Sequence, residues 1–514
     1  MFVTLRHMHQ TAGNHHRRTL AGLAVLTISF AAVLSTVGCG NQYRPVVSAI
    51  GPVGPAGQTE KFAVAVSSPS ATSLGLMTVV DFSGDTVTTT PQILSNPSYF
   101  QLNQNGTQGF VINSAGSFDS IPLSNPVGLL TSQVVQTTLP VDSNPVSITS
   151  FAPASGLLTV FVPQAGSNTV AALNAGTTAL YDTVGIEGGG SNPVYVVGSG
   201  GTARVYAISS TGGSSCGSNG QVDAIETVST ISLSDSAQIC VGNNPVYGVM
   251  TNETTPRRAF ILNKGSGTLS VLNVTNNALD SLPTATIAAD TNQYYTPPVG
   301  TIPLCTPSTG ATASIPCPTT KPVWADFNSV DTELVVLNQG DSTHAGSLSV
   351  INIPLCNAAA QATNPNCSST NPVDAATFGT ILATVPVGFN PTMVSVLQAT
   401  DGNVPAAYVI NDLDSTGTCA TGQGSVTVIN LQTNKVATTI CGISVNATAT
   451  ANGTSNVIFG HPNSISATGG EPTGKVYVTS SDNQYLSVIY TDTNQVKTHI
   501  PLQGNGLRVL VTVQ

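Results

Sequence analysis

The sequence predicts an all-β fold in which one four-stranded unit is repeated around a closed ring. Short runs rich in Val, Ile, Tyr and Thr alternate with Ser, Asp, Asn and Gly, which is typical of strands joined by tight turns. The chain contains 49 Gly and 32 Pro but only 7% charged residues. The strand pattern also recurs at a nearly regular spacing, and such repetition of four-stranded antiparallel units is characteristic of the blades of a β-propeller.

A proline, preceded by asparagine in most cases, marks the beginning of each predicted repeat. The seven are Pro97, Pro145, Pro193, Pro245, Pro322, Pro391 and Pro462. A short first strand follows each proline. The next three strands are exemplified by Ala407-Tyr-Val-Ile-Asn, Gly424-Ser-Val-Thr-Val-Ile-Asn and Lys435-Val-Ala-Thr-Thr-Ile. We therefore expect one antiparallel blade after each proline.

The two ends of the propeller region predict one further, composite blade. Lys61 to Leu94 contains strands two to four of a blade but lacks the first, whereas Leu507 to Gln514 is a single strand with no blade of its own. Pairing them would close the ring and remove two unpaired sheet edges. We expect eight blades closed by the C-terminal strand, with seven as the alternative because the first repeats are the least regular.

The first 38 residues have the composition of a signal peptide. Arginines at positions 6, 17 and 18 precede an apolar run from Leu20 to Val37, which is the order of a secretory signal. The run Thr36-Val37-Gly38-Cys39 resembles a bacterial lipobox, which implies cleavage before a lipidated Cys39. A plain signal peptide or an uncleaved anchor is the alternative interpretation.

Residues 39–60 then form the lipidated cysteine and a Pro/Gly-rich tether, and residues 61–514 form the propeller. The spaced Pro and Gly of the tether favour neither helix nor sheet. No second apolar stretch is long enough to span a membrane, so we expect the lipid to be the only membrane anchor. Gly40, rather than Asp, follows Cys39, which favours the outer membrane or the cell surface.

The charge balance disfavours nucleic acid as a partner. Three of the 14 basic residues lie in the signal peptide, so the remainder of the chain carries 11 basic residues against 24 acidic ones, a formal charge of −13. A surface of this sign repels phosphate backbones. Anionic membrane surfaces are disfavoured for the same reason.

Eight cysteines follow Cys39, and an even number in an exported chain predicts disulfides. Cys216 and Cys240 occupy the same two places in their repeat as Cys419 and Cys441 do three repeats later, and both places lie at one end of a meander. The expected pairs are Cys216 with Cys240, Cys305 with Cys317, Cys356 with Cys367, and Cys419 with Cys441. Because no CxxC occurs and few histidines lie nearby, we expect no metal site and no cofactor.

Large aromatic residues recur two places after the marker prolines. The series is Tyr99, Ser147, Tyr195, Tyr247, Trp324, Met393 and Ser464, in a chain that is 5% aromatic. A shared register places these side chains on one face of each innermost strand. Packing between blades is one interpretation. The other is a partial aromatic ring at the channel mouth that binds a sugar or an apolar side chain through Tyr99, Tyr195, Tyr247 and Trp324.

The runs Val476-Tyr-Val-Thr479 and Leu486-Ser-Val-Ile489 resemble the YVTN-type β-propeller repeat of bacterial surface and periplasmic proteins. The resemblance extends over about residues 61–514 and is strongest in the last two blades. It implies a propeller with a binding or scaffold role and no single enzymatic activity.

The leading functional prediction is an exported lipoprotein whose propeller binds an envelope protein or polysaccharide. The alternative is a metal-dependent, lactonase-like envelope hydrolase that acts at the central channel, for which Asp326, Glu333, Asp412 and Asp482 are available. A third possibility is a structural role in a surface layer, with self-association through insertions at 290–320, 353–378 and 443–460. No catalytic residue is predicted, because the G-x-S-x-G match at 213–217 falls in a loop between strands.

Overall fold

The computed structural model of the chain describes twelve segments of the propeller region. They are residues 62–126, 128–227, 233–252, 257–280, 299–305, 317–328, 332–353, 378–397, 404–415, 417–443, 456–468 and 474–512. Within these segments the only helices are the 3-10 helices Thr131–Gln133 and Ser214–Cys216. No helix in the described segments is long and apolar enough to cross a membrane.

The strands form eight antiparallel blades, which confirms the predicted fold class and blade number. Blade 1 contains β1 (Phe62–Ser68), β2 (Leu74–Asp81), β3 (Thr86–Thr89) and β4 (Gln92–Ser95). Blade 2 contains β5 (Tyr99–Leu102), β6 (Gln108–Ile112), β7 (Ser117–Pro122) and β8 (Val135–Thr138). Blade 3 contains β9 (Thr149–Phe151), β10 (Thr159–Gln164), β11 (Thr169–Asn174) and β12 (Leu180–Gly185). Blade 4 contains β13 (Ser191–Val197), β14 (Arg204–Thr211), β15 (Gln221–Glu226) and β16 (Ser234–Cys240).

The second half of the ring repeats the same meander with two additions. Blade 5 contains β17 (Pro245–Met250), β18 (Arg258–Asn263), β19 (Thr268–Asn273), β20 (Ala278–Leu279) and β21 (Thr301–Pro303). Blade 6 contains β22 (Pro322–Phe327), β23 (Glu333–Asn338), β24 (Ser347–Asn352) and β25 (Ile381–Pro386). Blade 7 contains β26 (Phe389–Leu397), β27 (Ala406–Leu413), β28 (Ser425–Asn430), β29 (Lys435–Ile443) and β30 (Val457–Phe459). Blade 8 contains β31 (Pro462–Ala467), β32 (Lys475–Ser480), β33 (Tyr485–Tyr490) and β34 (Gln495–Pro501).

The last strand, β35 (Asn505–Val511), returns to blade 1 and closes the ring. It pairs with β1 in antiparallel register, with Val509 opposite Ala65. The backbone N–H of Phe62 donates to Thr512 Oγ1 at 3.1 Å, beyond the end of the paired strands. The predicted composite blade is therefore confirmed, and β1 has a partner on both sides.

The backbone conformation just before each marker proline explains why asparagine is common at that position. The residue before the proline has a positive φ of 43–57° in six blades, at Asn96, Asn144, Asn192, Asn244, Lys321 and Asn390. Asparagine adopts this left-handed conformation more readily than most residues. A register shift then follows the proline, as between Pro391 and Met393 on β26. This bulge sets which side chains of the innermost strand share one face.

A tyrosine near the start of the second strand joins three pairs of neighbouring blades. Its hydroxyl donates to the residue of positive φ in the turn between strands three and four of the next blade. The pairs are Tyr206 with Asn277 at 3.3 Å, Tyr408 with Asn494 at 2.5 Å, and Tyr477 with Asp85 at 3.2 Å. The third pair lies at the ring closure, so the same tyrosine contact that joins consecutive blades also joins blade 8 to blade 1.

Three of the four predicted disulfides are present. The Cα–Cα distances are 5.3 Å for Cys216–Cys240, 5.5 Å for Cys305–Cys317 and 5.4 Å for Cys419–Cys441. These separations lie in the normal range for the bond. Cys39, Cys356 and Cys367 lie outside the described residues, as does most of the predicted insertions.

Candidate ligand site in the central channel

Three of the four predicted aromatic side chains pack against one another along the innermost strands. The ring centroids of Tyr195 and Tyr247 are 4.6 Å apart. Those of Tyr247 and Trp324 are 4.3 Å apart, with the ring planes 16° from parallel. These residues come from the innermost strands of blades 4, 5 and 6, so the arc crosses two blade boundaries.

The fourth aromatic, Tyr99 on blade 2, joins the arc through a residue that the sequence analysis missed. The Cζ atom of Arg508 lies 4.3 Å from the ring centroid of Tyr99 and 5.4 Å from that of Trp324. One guanidinium therefore lies against two of the predicted aromatic residues. Both distances are within the range of a cation–π interaction.

Arg508 occupies the eighth place in the same series. On β35, Gly506 pairs with Ser67 and Arg508 pairs with Val66, with a register shift between them. On β26, Pro391 and Met393 have the same relation to their partner strand. A glycine stands where the other blades have proline, so the marker was missing. Aligning Gly506-Leu-Arg508 with the seven Pro-x-x triplets would have revealed Arg508 as the eighth member of the series.

The three remaining members of the series are smaller and hold the ring together. Ser147 Oγ donates to the carbonyl of Val194 on the next blade at 2.9 Å. Ser464 Oγ accepts from Val509 N at 3.1 Å, also across a blade boundary. Met393 Sδ lies 3.8 Å from the same hydroxyl. Packing between blades and lining of the channel are therefore combined in one set of residues.

The tyrosine hydroxyls of the arc act as neutral hydrogen-bonding groups. Burial raises the pKa of Tyr195 to about 12 and raises that of Tyr247 well above its ordinary value. Both tyrosines, with Tyr99 and Trp324, nonetheless remain only half-buried. The phenols of Tyr195 and Tyr247 therefore stay protonated at physiological pH while part of their surface is accessible.

Asp326 lies two residues beyond Trp324 on the same strand. One carboxylate oxygen accepts from Phe327 N and the other from Val396 N of blade 7, both at 2.9 Å. Burial raises the pKa of Asp326 to about 6, although these two hydrogen bonds oppose the shift. The carboxylate therefore joins blades 6 and 7 and titrates close to neutral pH.

The four carboxylates of the hydrolase interpretation do not lie together. Asp412 accepts from Asn390 Nδ2 at 3.3 Å, whereas Asp326 accepts from Val396 N. Asn390 and Val396 lie near opposite ends of β26, about 20 Å apart at the rise of an extended strand. Asp482 pairs with His461, at 2.8 Å from Nδ1. The hydrogen bond to Asp482 raises the pKa of His461 and the charge of Asp412 adds to this effect, so Asp412 and Asp482 lie near one histidine while Asp326 is remote from Asp412.

Glu333, the fourth carboxylate, begins β23, the second strand of blade 6. Within the described segments, no group of three or more His, Cys, Asp or Glu side chains could hold a metal ion. In that part of the chain, the channel site consists of aromatic rings, hydroxyls and one guanidinium.

Comparison with solved structures supports the same architecture. The dihydro-heme d1 dehydrogenase NirN in complex with DHE is similar over 88% of this chain and 75% of its own, with a TM-score of 0.54 and 11% identity. Apo AztD from Citrobacter koseri is similar over 88% of this chain and 98% of its own, with a TM-score of 0.51 and 8% identity. Both are β-propeller proteins.

At these identities the similarity establishes the fold alone, and the protein is an eight-bladed β-propeller. No protein-family model matches the sequence, and no curated protein matches it. The similarity to the YVTN-type repeat therefore stays a prediction.

Proposed function

We propose that the protein is an exported lipoprotein whose propeller is a binding module for a polymer of the cell envelope. The observation that carries the proposal is the lining of the channel, where Tyr99, Tyr195, Tyr247 and Trp324 come together with Arg508. Half-buried aromatic side chains with polar groups beside them are typical of small-molecule and sugar sites.

The location outside the cytoplasm is supported by the disulfides. Three are present in the described segments, and such bonds persist in oxidising compartments. Lipid attachment at Cys39 and placement at the outer membrane or cell surface belong to the proposal. Replacing Cys39 by Ser should abolish incorporation of labelled fatty acid and release the protein from the membrane fraction.

A polysaccharide is favoured over a protein as the ligand because the site is a channel rather than an exposed flat surface. The tyrosine hydroxyls can both donate and accept hydrogen bonds, as sugar hydroxyls require. A scaffold role for a partner protein would instead use the outer loops, which are free to vary on a rigid ring.

In-cell photo-crosslinking tests the proposal directly. A photoreactive residue at Tyr99 should form an adduct with envelope polysaccharide, whereas one at Leu180 should not. Leu180 is the matched control because it is exposed on the outermost strand of blade 3, far from the innermost strands. Equal adducts at both positions, or a polysaccharide adduct at neither, would contradict a channel binding site.

A further inference from the structure

We infer that the channel site recognises a carboxylate carried by a sugar, and that Arg508 is the residue that binds it. The inference rests on the proposed function and specifies the chemical class of its ligand. It depends on the charge, the hydrogen-bonding capacity and the surroundings of Arg508.

Arg508 differs from three other basic residues of the propeller, each of which forms an ion pair with a carboxylate. Arg204 forms an ion pair with Glu226 at 2.8 Å, and Lys475 forms one with Asp85 at 2.8 Å. Arg258 likewise pairs with Asp280. Arg508 forms no ion pair with any residue of the described segments, and its guanidinium lies against the two aromatic rings.

The nitrogens of Arg508 also lack hydrogen-bond partners within the described part of the chain. Nε is enclosed by protein and has no partner there. It is the only one of the three guanidinium nitrogens that is both enclosed and unpaired, and the side chain as a whole is half-buried. A guanidinium has five N–H donors in one plane. Arg508 Cζ lies 4.3 Å and 5.4 Å from the centroids of Tyr99 and Trp324, and a guanidinium that lies against an aromatic ring can still donate hydrogen bonds from its N–H groups.

The aromatic residues around Arg508 contact one another and the guanidinium. Tyr247 stacks on Trp324 and has Tyr195 tilted against it at 44°, while Trp324 and Tyr99 lie against Arg508. The edge of an aromatic ring is electropositive, and its face is electronegative. Ring edges, phenol hydroxyls and guanidinium N–H groups together form a surface complementary to an anion.

This positive site is unusual in a chain with 24 acidic and 14 basic residues. The acidic group closest along the channel-lining strands is Asp326, whose two oxygens already accept from Phe327 N and Val396 N. Asp326 forms no ion pair with Arg508. The carboxylate of this channel therefore serves the blade contact and leaves the guanidinium available to a ligand.

A carboxylate on a sugar ring satisfies both kinds of group in the site. Arginine binds planar carboxylates through two parallel N–H···O bonds. The hydroxyls of Tyr99, Tyr195 and Tyr247 are suited to the hydroxyls of the same sugar. Free sugar acids and uronate units of an acidic polysaccharide share this chemistry.

Calorimetric titration of the full-length protein in detergent tests the inference. The probes are galacturonate, a galacturonate oligomer, galactose and galactose 6-phosphate. We expect binding of galacturonate or its oligomer, at least tenfold weaker binding of galactose, and weaker binding of the uronates as salt is raised. Binding of the oligomer alone would identify the polymer as the source, and equal binding per site would identify the free sugar acid.

Substitutions connect the binding to Arg508. We expect Arg508→Gln to weaken uronate binding at least tenfold and Arg508→Lys to retain part of it. Lys497→Gln, which removes an equal charge from an exposed side chain of β34, should leave it unchanged. If Arg508→Gln fails to fold, Tyr99→Phe tests the site instead, because it keeps the ring against Arg508 and should lower affinity several-fold.

Three results would overturn the inference: galactose binding as tightly as galacturonate, preference for the sugar phosphate, or uronate affinity unchanged in the foldable variants. Binding of a neutral envelope polysaccharide without any response to uronates would reject this inference and leave the proposed function standing. If crosslinking and titration both find no saccharide, the proposed function fails as well.

Discussion

Two basic residues of the propeller, Lys475 and Arg508, lie against aromatic rings but differ in their polar partners. Lys475 Nζ lies 4.8 Å from the ring centroid of Phe82 and 4.9 Å from that of Tyr490. It also donates to Asp85 Oδ1 at 2.8 Å and to Phe82 O at 2.6 Å. Arg508 has comparable ring contacts and no such partner in the described segments.

The difference separates a structural cation from one that is available to a ligand. Lys475 and Asp85 join blade 8 to blade 1, and their side chains are only 5% and 8% exposed. Tyr490 also donates to Asp85, at 2.8 Å. Because every partner is satisfied, the cluster stabilises the ring closure. An unpaired guanidinium contributes little to stability, so its position in the channel calls for another explanation.

The largest effect is expected at the ring closure. Asp85→Ala leaves a buried Lys475 without its counter-charge and removes the acceptor of Tyr477 and Tyr490. Breaking a buried ion pair on one side costs about 3 to 5 kcal/mol. Thermal and urea unfolding should both show the loss. Asp492→Asn, at an exposed position in the last turn of blade 8, is the control and should change stability by less than about 0.5 kcal/mol.

Asp326 predicts a pH dependence of stability. Its folded pKa of about 6 lies above the ordinary value of 3.8 because the carboxyl is buried. The folded state thus binds a proton at the Asp326 carboxyl more tightly than the unfolded state does. The resulting stabilisation is complete below about pH 3.8 and is lost as the pH rises through about 6. Relative to Asp326→Asn, the wild-type melting temperature should increase between pH 7 and pH 4. If the melting temperatures of wild type and Asp326→Asn changed with pH in parallel, a raised pKa of Asp326 would be excluded.

The tyrosine contacts between blades should have smaller effects. Tyr408→Phe removes one hydrogen bond to Asn494 and leaves the ring in place, so we expect a loss of about 1 kcal/mol. Tyr206→Phe should cost less, because its bond to Asn277 is 3.3 Å long rather than 2.5 Å. Tyr485→Phe is a control, since its hydroxyl has no hydrogen bond within the described residues. Equal losses in all three variants would show that packing, not the hydrogen bond, is measured.

The sequence predicted features that repeat and missed those that break the repeat. The blades and the aromatic series follow from the spacing of Pro193, Pro245 and the other markers. The composite closure follows from the incomplete blade at residues 61–94 and the single strand at residues 507–514. Arg508 was missed because Gly506 replaces the proline in its blade. The pairing of Lys475 with Asp85 joins residues 390 positions apart. The predicted ring closure brings their two blades together, but the repeat pattern does not specify which side chains meet at that boundary.

The smallest effect on stability is expected where the effect on binding is largest. Arg508→Gln removes a charge that has no ion-pair partner in the described segments, so the gain from relieving its desolvation offsets the loss of two cation–π contacts of about 0.5 to 1 kcal/mol each. The melting temperature should therefore change little. Arg204→Gln is the matched comparison, because it breaks the ion pair with Glu226 and a 2.7 Å bond to Val274 O. If Arg508→Gln destabilised the protein more than Arg204→Gln, the guanidinium would be a structural element of the channel, and the contrast with Lys475 would no longer hold.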